Sequence, residues 1–337
     1  MAESAMDHVV ADLRENAVRY FPSHSELRNV RVVGHTPKSD HYIYDIVIDF
    51  ANSSERVAAK VYRAKANGRS RELATRELEH LRHVYDVSEK KGLSGIPRPV
   101  GEFNELGVVV AEKLNGLPLQ SIVMKAALLP GYSDHNLVTV SARFAGDWLK
   151  RFHKATSDGT EAFDGAAMQK ELERLCANCK GEGLDDESIS IILNGTAAIL
   201  AKAKKSLPAS AVIHDFTPLN VLVSELGIGM TEYAKLAHKG YSYIDVAQFL
   251  ACIEALEKYP FCDRDLIGDV QNAFLQAYDV GPAEEQILRV LKMKALLTMF
   301  AAGRNVKESA LRKRVMWATV MKRFIHQAAQ RSMAPAA

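Results

Sequence analysis

A chain of 337 residues is long enough for one large domain or for two lobes with cores of their own, and 47% hydrophobic with 25% charged residues is ordinary for a globular protein. A formal net charge of +2 creates no overall field to draw nucleic acid, and no run of about 18 apolar residues offers a transmembrane helix. Four cysteines (Cys176, Cys179, Cys252, Cys262) are too few for a disulfide framework, and residues 1–7 lack a basic-then-apolar leader, so a cytoplasmic setting without membrane or nucleic-acid partners is expected.

Residues 4–20 read as an amphipathic helix with Val9, Val10, Leu13, Val18 and Tyr20 as apolar positions. Strand-like runs follow at 29–33, 42–50 and 56–63. The middle run alternates, with Tyr42, Tyr44, Ile46, Ile48 and Phe50 on one face, and polar turns at 36–40 and 51–55 make the three an antiparallel meander. Residues 70–87 change to helical spacing, with Leu73, Leu78, Leu81 and Tyr85 on one side. Pro97 and Pro99 restart the chain in extended form. Residues 107–111 are another apolar strand, and Asn115-Gly116-Leu117-Pro118 breaks it. Beyond that break the chain is mostly helical. Residues 134–156 carry Leu137, Val140, Phe144, Trp148 and Phe152 at spacings of three and four, a stripe expected to be buried. Further helices are read at 165–180, 186–206, 244–258, 263–279, 283–302 and 307–331. The organisation is then a first lobe over 1–112, a linker over 113–117 and a helical lobe over 118–337.

Between two apolar runs lies Val212-Ile213-His214-Asp215-Phe216-Thr217-Pro218-Leu219-Asn220-Val221-Leu222-Val223. Asp and Asn five apart in a turn between short strands is the layout of a phosphoryl-transfer loop, where the Asp takes the nucleophile's proton and the Asn holds a metal ion. Taken alone it is also an ordinary polar turn. Lys60, in Val57-Ala58-Ala59-Lys60, projects from a strand and could bridge phosphate oxygens or snorkel to solvent. Glu77, mid-helix and seventeen residues on, could hold that Lys in register or be one more solvated charge. The strand Val108–Glu112 runs into a linker whose free backbone groups could read an adenine edge. Glu254, Glu257 and Asp263 could meet a cationic acceptor or stand as solvated charges. Cys176-Ala177-Asn178-Cys179 lacks the two further ligands a zinc site needs.

In this order, over about residues 28–300, the chain resembles the aminoglycoside phosphotransferase-like branch of the protein-kinase-like fold. Glu112 to Leu119 resembles that family's E-x-x-x-G-x-x-L linker, Trp148 to His153 its L-x-x-L/F-H helix end, and Asp245 to Leu250 its D-L/V-A-x-F-L helix start. Two features depart from the pattern. The family has His-x-Asp in the loop, whereas His214 here adjoins Asp215 and Ile213 stands two before it. The family's metal-binding Asp is also absent. Glu232, 12 after Asn220 and 13 before Asp245, takes its place, while a second alignment puts Gly229 there with uneven gaps.

The resemblance implies an α+β, bilobal protein-kinase-like fold: a small antiparallel-sheet N-lobe with one helix, and a larger, mainly helical C-lobe. It implies an ATP-dependent phosphotransferase acting on a hydroxyl of a small molecule such as an aminoglycoside, a sugar or an amino alcohol. Lys60, oriented by Glu77, would hold phosphates, and Ser39 would help cradle them. Glu112 and Leu114 would flank the adenine. Asp215 would deprotonate the acceptor, and Asn220 and Glu232 would hold Mg²⁺. Asp245 would cap its helix and tie it to the loop. The alternative is a catalytically impaired kinase-like protein that binds a ligand or partner.

Overall fold

The computed structural model describes residues 2–38, 40–63, 69–129, 134–302, 315 and 317–333. Ser39 and the start of the helix expected at 307–331 lie outside the described residues. The chain forms two compact units, Met1–Gly116 with Ser224–Leu236, and Leu117–Val223 with Ala237–Ala337.

The first unit is built on a four-stranded antiparallel sheet in the order β1 (Leu27–Pro37), β2 (His41–Phe50), β3 (Ser54–Tyr62), β4 (Val108–Glu112). Helix α1 (Ala2–Tyr20) covers one face. Its Met6, Val9, Leu13 and Ala17, three or four apart, pack with Phe21 on Ile46, Ile48 and Phe50 of β2, Val57, Ala59 and Val61 of β3, and Val108 and Val110 of β4. Burying a large aliphatic side chain in this way contributes about 1.5–3 kcal/mol. The helical period carries the inner face from Leu13 to Ala17, so Val18, expected inside, is exposed. Strand alternation puts Lys60 and Tyr62 on the opposite face, where helix α2 (Arg69–Lys91) lies. The unit thus has a helix on each face of its sheet.

Segment 224–236 was expected to belong wholly to the helical lobe, but it packs with this first unit. It carries β9 (Gly227–Met230). The Met230 N–H donates to Gly95 O at 2.9 Å, and His80 Nδ1 lies 3.1 Å from Tyr233 O. A Cβ added at Gly229 would stand 2.8 Å from Leu114 Cδ1. Gly229 therefore has a packing reason to lack a side chain.

The second unit holds β5 (Leu117–Pro118), α3 (Leu119–Leu128), α4 (His135–Ala155), β6 (Thr160–Ala162), α5 (Gly165–Lys180), α6 (Asp186–Leu200), β7 (Ser206–Val212), the start of β8 (Val221–Ser224), β10 (Ala237–Tyr241), α7 (Tyr243–Glu254), α8 (Arg264–Tyr278), α9 (Pro282–Ala302) and α10 (Lys322–Met333). β7 lies between β6 and β10, antiparallel to both. Asp134, Asp164, Asp185 and Asp263 cap the N-termini of α4, α5, α6 and α8, each side chain accepting a first-turn N–H. Such a cap contributes about 1 kcal/mol. The 186–206 region, read as one helix, ends as helix at Leu200 and enters β7 at Ser206. No described helix is long and apolar enough to cross a membrane.

The packed face of α4 is not the one its largest side chains suggest. Trp148 and Phe152 are buried as expected, but Leu137, Val140 and Phe144 are exposed, and Val138, Ala142, Ala145 and Leu149 turn inward. The cause is the close approach of α8: a Cβ at Gly146 would fall 2.4 Å from Phe274 O. Small residues choose the contact face because they let two backbones meet. Gly146→Ala should therefore lower stability by about 1–3 kcal/mol, read as a fall in the urea midpoint at unchanged slope.

Candidate active site

In the first unit, Lys60, Glu77 and Glu232 meet. Lys60 Nζ donates to Glu77 Oε1 at 3.0 Å and to Glu232 Oε1 at 2.6 Å. Tyr62 Oη, two residues along the same strand face, donates to the other Glu77 oxygen. Glu77 is 4% exposed, so it is not one of the solvated charges of α2. Burial disfavours the Lys60 ammonium, but the two carboxylates outweigh it and hold its pKa well above the usual lysine value. Burial raises Glu77 above the ordinary carboxylate range, against the pull of Lys60, and Glu232 adds to the rise. Two carboxylates around one ammonium leave one anion in surplus. Neither the engagement of Tyr62 nor the contact between residues 60 and 232 had a local signal in the sequence.

The linker end of β4 is more occupied than expected. The Glu112 N–H donates to Arg98 O at 2.8 Å, and the Lys113 N–H to Arg56 O at 2.9 Å. The Glu112 side chain accepts from Arg98 Nε at 2.6 Å, and Lys113 pairs with Asp45. Leu114 packs over Gly229.

In the second unit, Asp215 and Asn220 share one tight loop. Asn220 Nδ2 donates to Asp215 O at 3.1 Å, and the Thr217 and Asn220 N–H groups donate to the Asp215 and Thr217 carbonyls at 2.8 and 2.9 Å. His214 stands in the left-handed region with φ 62°, which costs a non-glycine residue about 1–3 kcal/mol. Asp245 secures that turn. Its carboxylate is fully buried and accepts the Ile213 and His214 N–H groups, both at 2.8 Å. Ser242, not Asp245, occupies the N-cap of α7, so Asp245 ties the loop without capping the helix. His153 backs the carboxylate with Nε2 at 3.2 Å, its Nδ1 lying 2.8 Å from Tyr278 Oη. Beneath the loop, buried Phe216 stacks on Trp148 at 5.9 Å and packs on Phe249 and Phe274. The His214 imidazole itself is exposed. The loop is therefore held by its backbone and by Phe216.

The acidic residues considered for a cationic acceptor are engaged internally. Glu254 is buried against Lys292 at 2.6 Å and Arg331 at 3.1 Å, Glu257 pairs with Arg331 at 2.8 Å, and Asp263 caps α8. Closer to Asp215 in its electrostatic surroundings is Cys252, whose thiol burial raises to about 11, and Cys252 in turn feels half-buried Lys258. Cys176 and Cys179 are buried free thiols, pushed up to about 11 and about 12 by burial. No group of three His, Cys, Asp or Glu among the described residues is placed to hold a metal ion. A hollow of about 510 Å³ among α6, α9 and α10, lined by Ile191, Asn194, Arg289 and Met333, involves none of the loop residues.

No family model and no curated protein sequence matches the chain. Solved structures do match it along nearly its whole length. An amicoumacin kinase in complex with AMP-PNP, Ca²⁺ and Ami has 13% identity and a TM-score of 0.56, with 98% of each chain covered. The GDP complex of aminoglycoside 2'-phosphotransferase-IIIa has 11% identity and a TM-score of 0.55, covering 96% of this chain and 99% of that one. A choline kinase from Cryptosporidium parvum has 15% identity and a TM-score of 0.55, covering 96% and 97%. The fold is that of the small-molecule kinases. It is the α+β, protein-kinase-like fold that the resemblance implied, with a small antiparallel sheet in one unit and a larger helical unit. At these identities the likeness concerns the fold.

Two stability measurements check these local assignments. Asp245→Ala strips two loop N–H groups of their acceptor and should cost about 3 kcal/mol or more, while Asp245→Asn, which keeps one acceptor oxygen, should cost less. Tyr233 is 1% exposed and its hydroxyl has no hydrogen-bond partner among the described residues. Tyr233→Phe should leave stability unchanged or raise it by up to about 1 kcal/mol in denaturant titration.

Proposed function

We propose that this protein is an ATP-dependent phosphotransferase acting on a hydroxyl of a small molecule. The observation that carries the reading is Lys60, a strand lysine held by the buried Glu77 carboxylate at 3.0 Å, on a fold whose solved neighbours are small-molecule kinases. A lysine pinned in this way presents its remaining donor in a fixed direction, as a phosphate-binding group requires.

In this reading Lys60 binds phosphate oxygens of the nucleotide, Glu77 and Tyr62 orient it, and Ser39, in the chain between β1 and β2, assists. The Leu114 amide and the Glu112 carbonyl meet the adenine edge, since the Glu112 and Lys113 N–H groups have partners already. Asp215 accepts the proton of the acceptor hydroxyl as that oxygen attacks the γ-phosphorus and the bond to the β-phosphate oxygen breaks. Asp245 and Phe216 keep Asp215 in place.

Each unit offers a hard oxygen donor for Mg²⁺: the Glu232 carboxylate, and Asn220 Oδ1, whose amide nitrogen is turned to Asp215 O. Carboxylate and amide oxygens fit the chemistry of that cation, which when bound neutralises charge on the phosphates. The acceptor is an aminoglycoside-, sugar- or amino-alcohol-like molecule. The engagement of Glu254, Glu257 and Asp263 weighs against those three acids binding a polycation. A second reading, a kinase-like ligand-binding protein without turnover, draws on the Glu that stands where the resemblance calls for Asp.

Thermal stabilisation by Mg·ATP followed by ATP turnover against a panel of hydroxyl-bearing metabolites separates the two readings. The proposal expects both, and expects Asp215→Asn to lower kcat by roughly 10²–10⁴-fold while retaining nucleotide binding. Wild-type activity in that variant would remove Asp215 from its role. Nucleotide binding without turnover favours the second reading.

A further inference from the structure

The Lys60 cluster contains one more carboxylate than ammonium, and the nearer of the two carboxylates is Glu232. Its Oε1 stands 2.6 Å from Lys60 Nζ, against 3.0 Å for Glu77. Glu77 is sealed in α2 and held again by Tyr62, whereas Glu232 keeps about a fifth of its side chain exposed. His41 lies opposite Tyr62 in register and shares the Lys60 face. Burial, and then the charge of Lys60, lower the His41 pKa, and Asp40 beside it at 2.8 Å is a further anion. Polyphosphate approaching Lys60 therefore meets net negative charge and an ammonium already shared by two carboxylates.

The length of the side chain decides this. An Asp at 232 would be shorter by about 1.5 Å and would end about 4 Å from Lys60, beyond hydrogen-bond distance. Glu spans the gap.

We infer that Glu232 makes this seat selective for the metal-complexed nucleotide and against the free polyphosphate. With no divalent cation present, Glu232 occupies Lys60 and repels phosphate. With one present, Glu232 turns its carboxylate to the cation, and phosphate oxygens replace it on Lys60. The inference rests on the nucleotide reading above and adds to it the form of nucleotide admitted.

Calorimetric titration of the full-length protein with ATP, in EDTA and in Mg²⁺, tests it for the wild type, Glu232→Gln and Glu232→Asp. The wild type should bind ATP at least about tenfold more tightly in Mg²⁺ than in EDTA. Both variants should gain roughly tenfold affinity in EDTA, because Glu232→Gln takes the negative charge away from Lys60 and Glu232→Asp ends short of it. In Mg²⁺, Glu232→Asp should keep its affinity and Glu232→Gln should lose it. A purely structural carboxylate would make both variants weaker in both media. Unchanged or weaker binding in EDTA by the variants overturns the selectivity, while Mg·ATP binding by the wild type leaves the nucleotide reading standing. Absence of ATP binding by all three proteins in both media overturns the two together. Thermal melts confirm that each variant is folded, and Glu232→Asp decides the matter if Glu232→Gln is not.

Discussion

One ammonium shared by two carboxylates governs the first unit. Lys60 comes from β3, Glu77 from α2, and Glu232 from a segment 172 residues away in the chain. Withdrawing such charges from water costs several kcal/mol per ion unless each finds its partners. Once Lys60 is inside, both acids follow, and the elements that carry them are fixed relative to the sheet. Tyr62, on the same strand face, donates to Glu77 and completes the arrangement. This constraint explains why segment 224–236 packs with the sheet unit although the chain reaches it from the helical unit.

The second unit depends on a carboxylate used differently. Asp245 is buried, and the groups it satisfies are mainly backbone amides at a turn with an unfavourable φ at His214. Charge-assisted hydrogen bonds contribute about 1.5–3 kcal/mol each, enough to offset the strain. The aromatic stack under Phe216 adds a rigid floor. Asp215 is thereby positioned from two sides, by hydrogen bonding above and by packing below. His153 and Tyr278 extend the same network into α4 and α8.

Charge compensation narrows the chemistry on offer. Glu254 and Glu257 could be read as open acids, yet Lys292 and the half-exposed Arg331 pair with them. Their partners lie 38 to 77 residues further along, on α9 and α10, and no local pattern links them. Val18, Leu137, Val140 and Phe144 illustrate the same limit for packing. Hydrophobicity counts favour large side chains, but the helical period turns Ala17 inward in place of Val18, and at Gly146, where α4 and α8 come close, smallness decides which face turns inward.

Much of the architecture was legible locally. Alternation in 42–50 and the helical spacing of 70–87 need only neighbours a few residues away, and the five-residue interval between Asp215 and Asn220 is a property of a single turn. Those features, with Lys60 and Glu77 in order before them, carried the kinase-like fold in the sequence itself. The tertiary structure alone decided which charges are shared and which are spent. Whether Glu77 is buried, whether Glu232 reaches Lys60, and whether Asp245 caps a helix or holds a loop all depend on distances between residues far apart in the chain. The extra methylene of Glu232 is written in the sequence, but its consequence follows only from the position of Lys60.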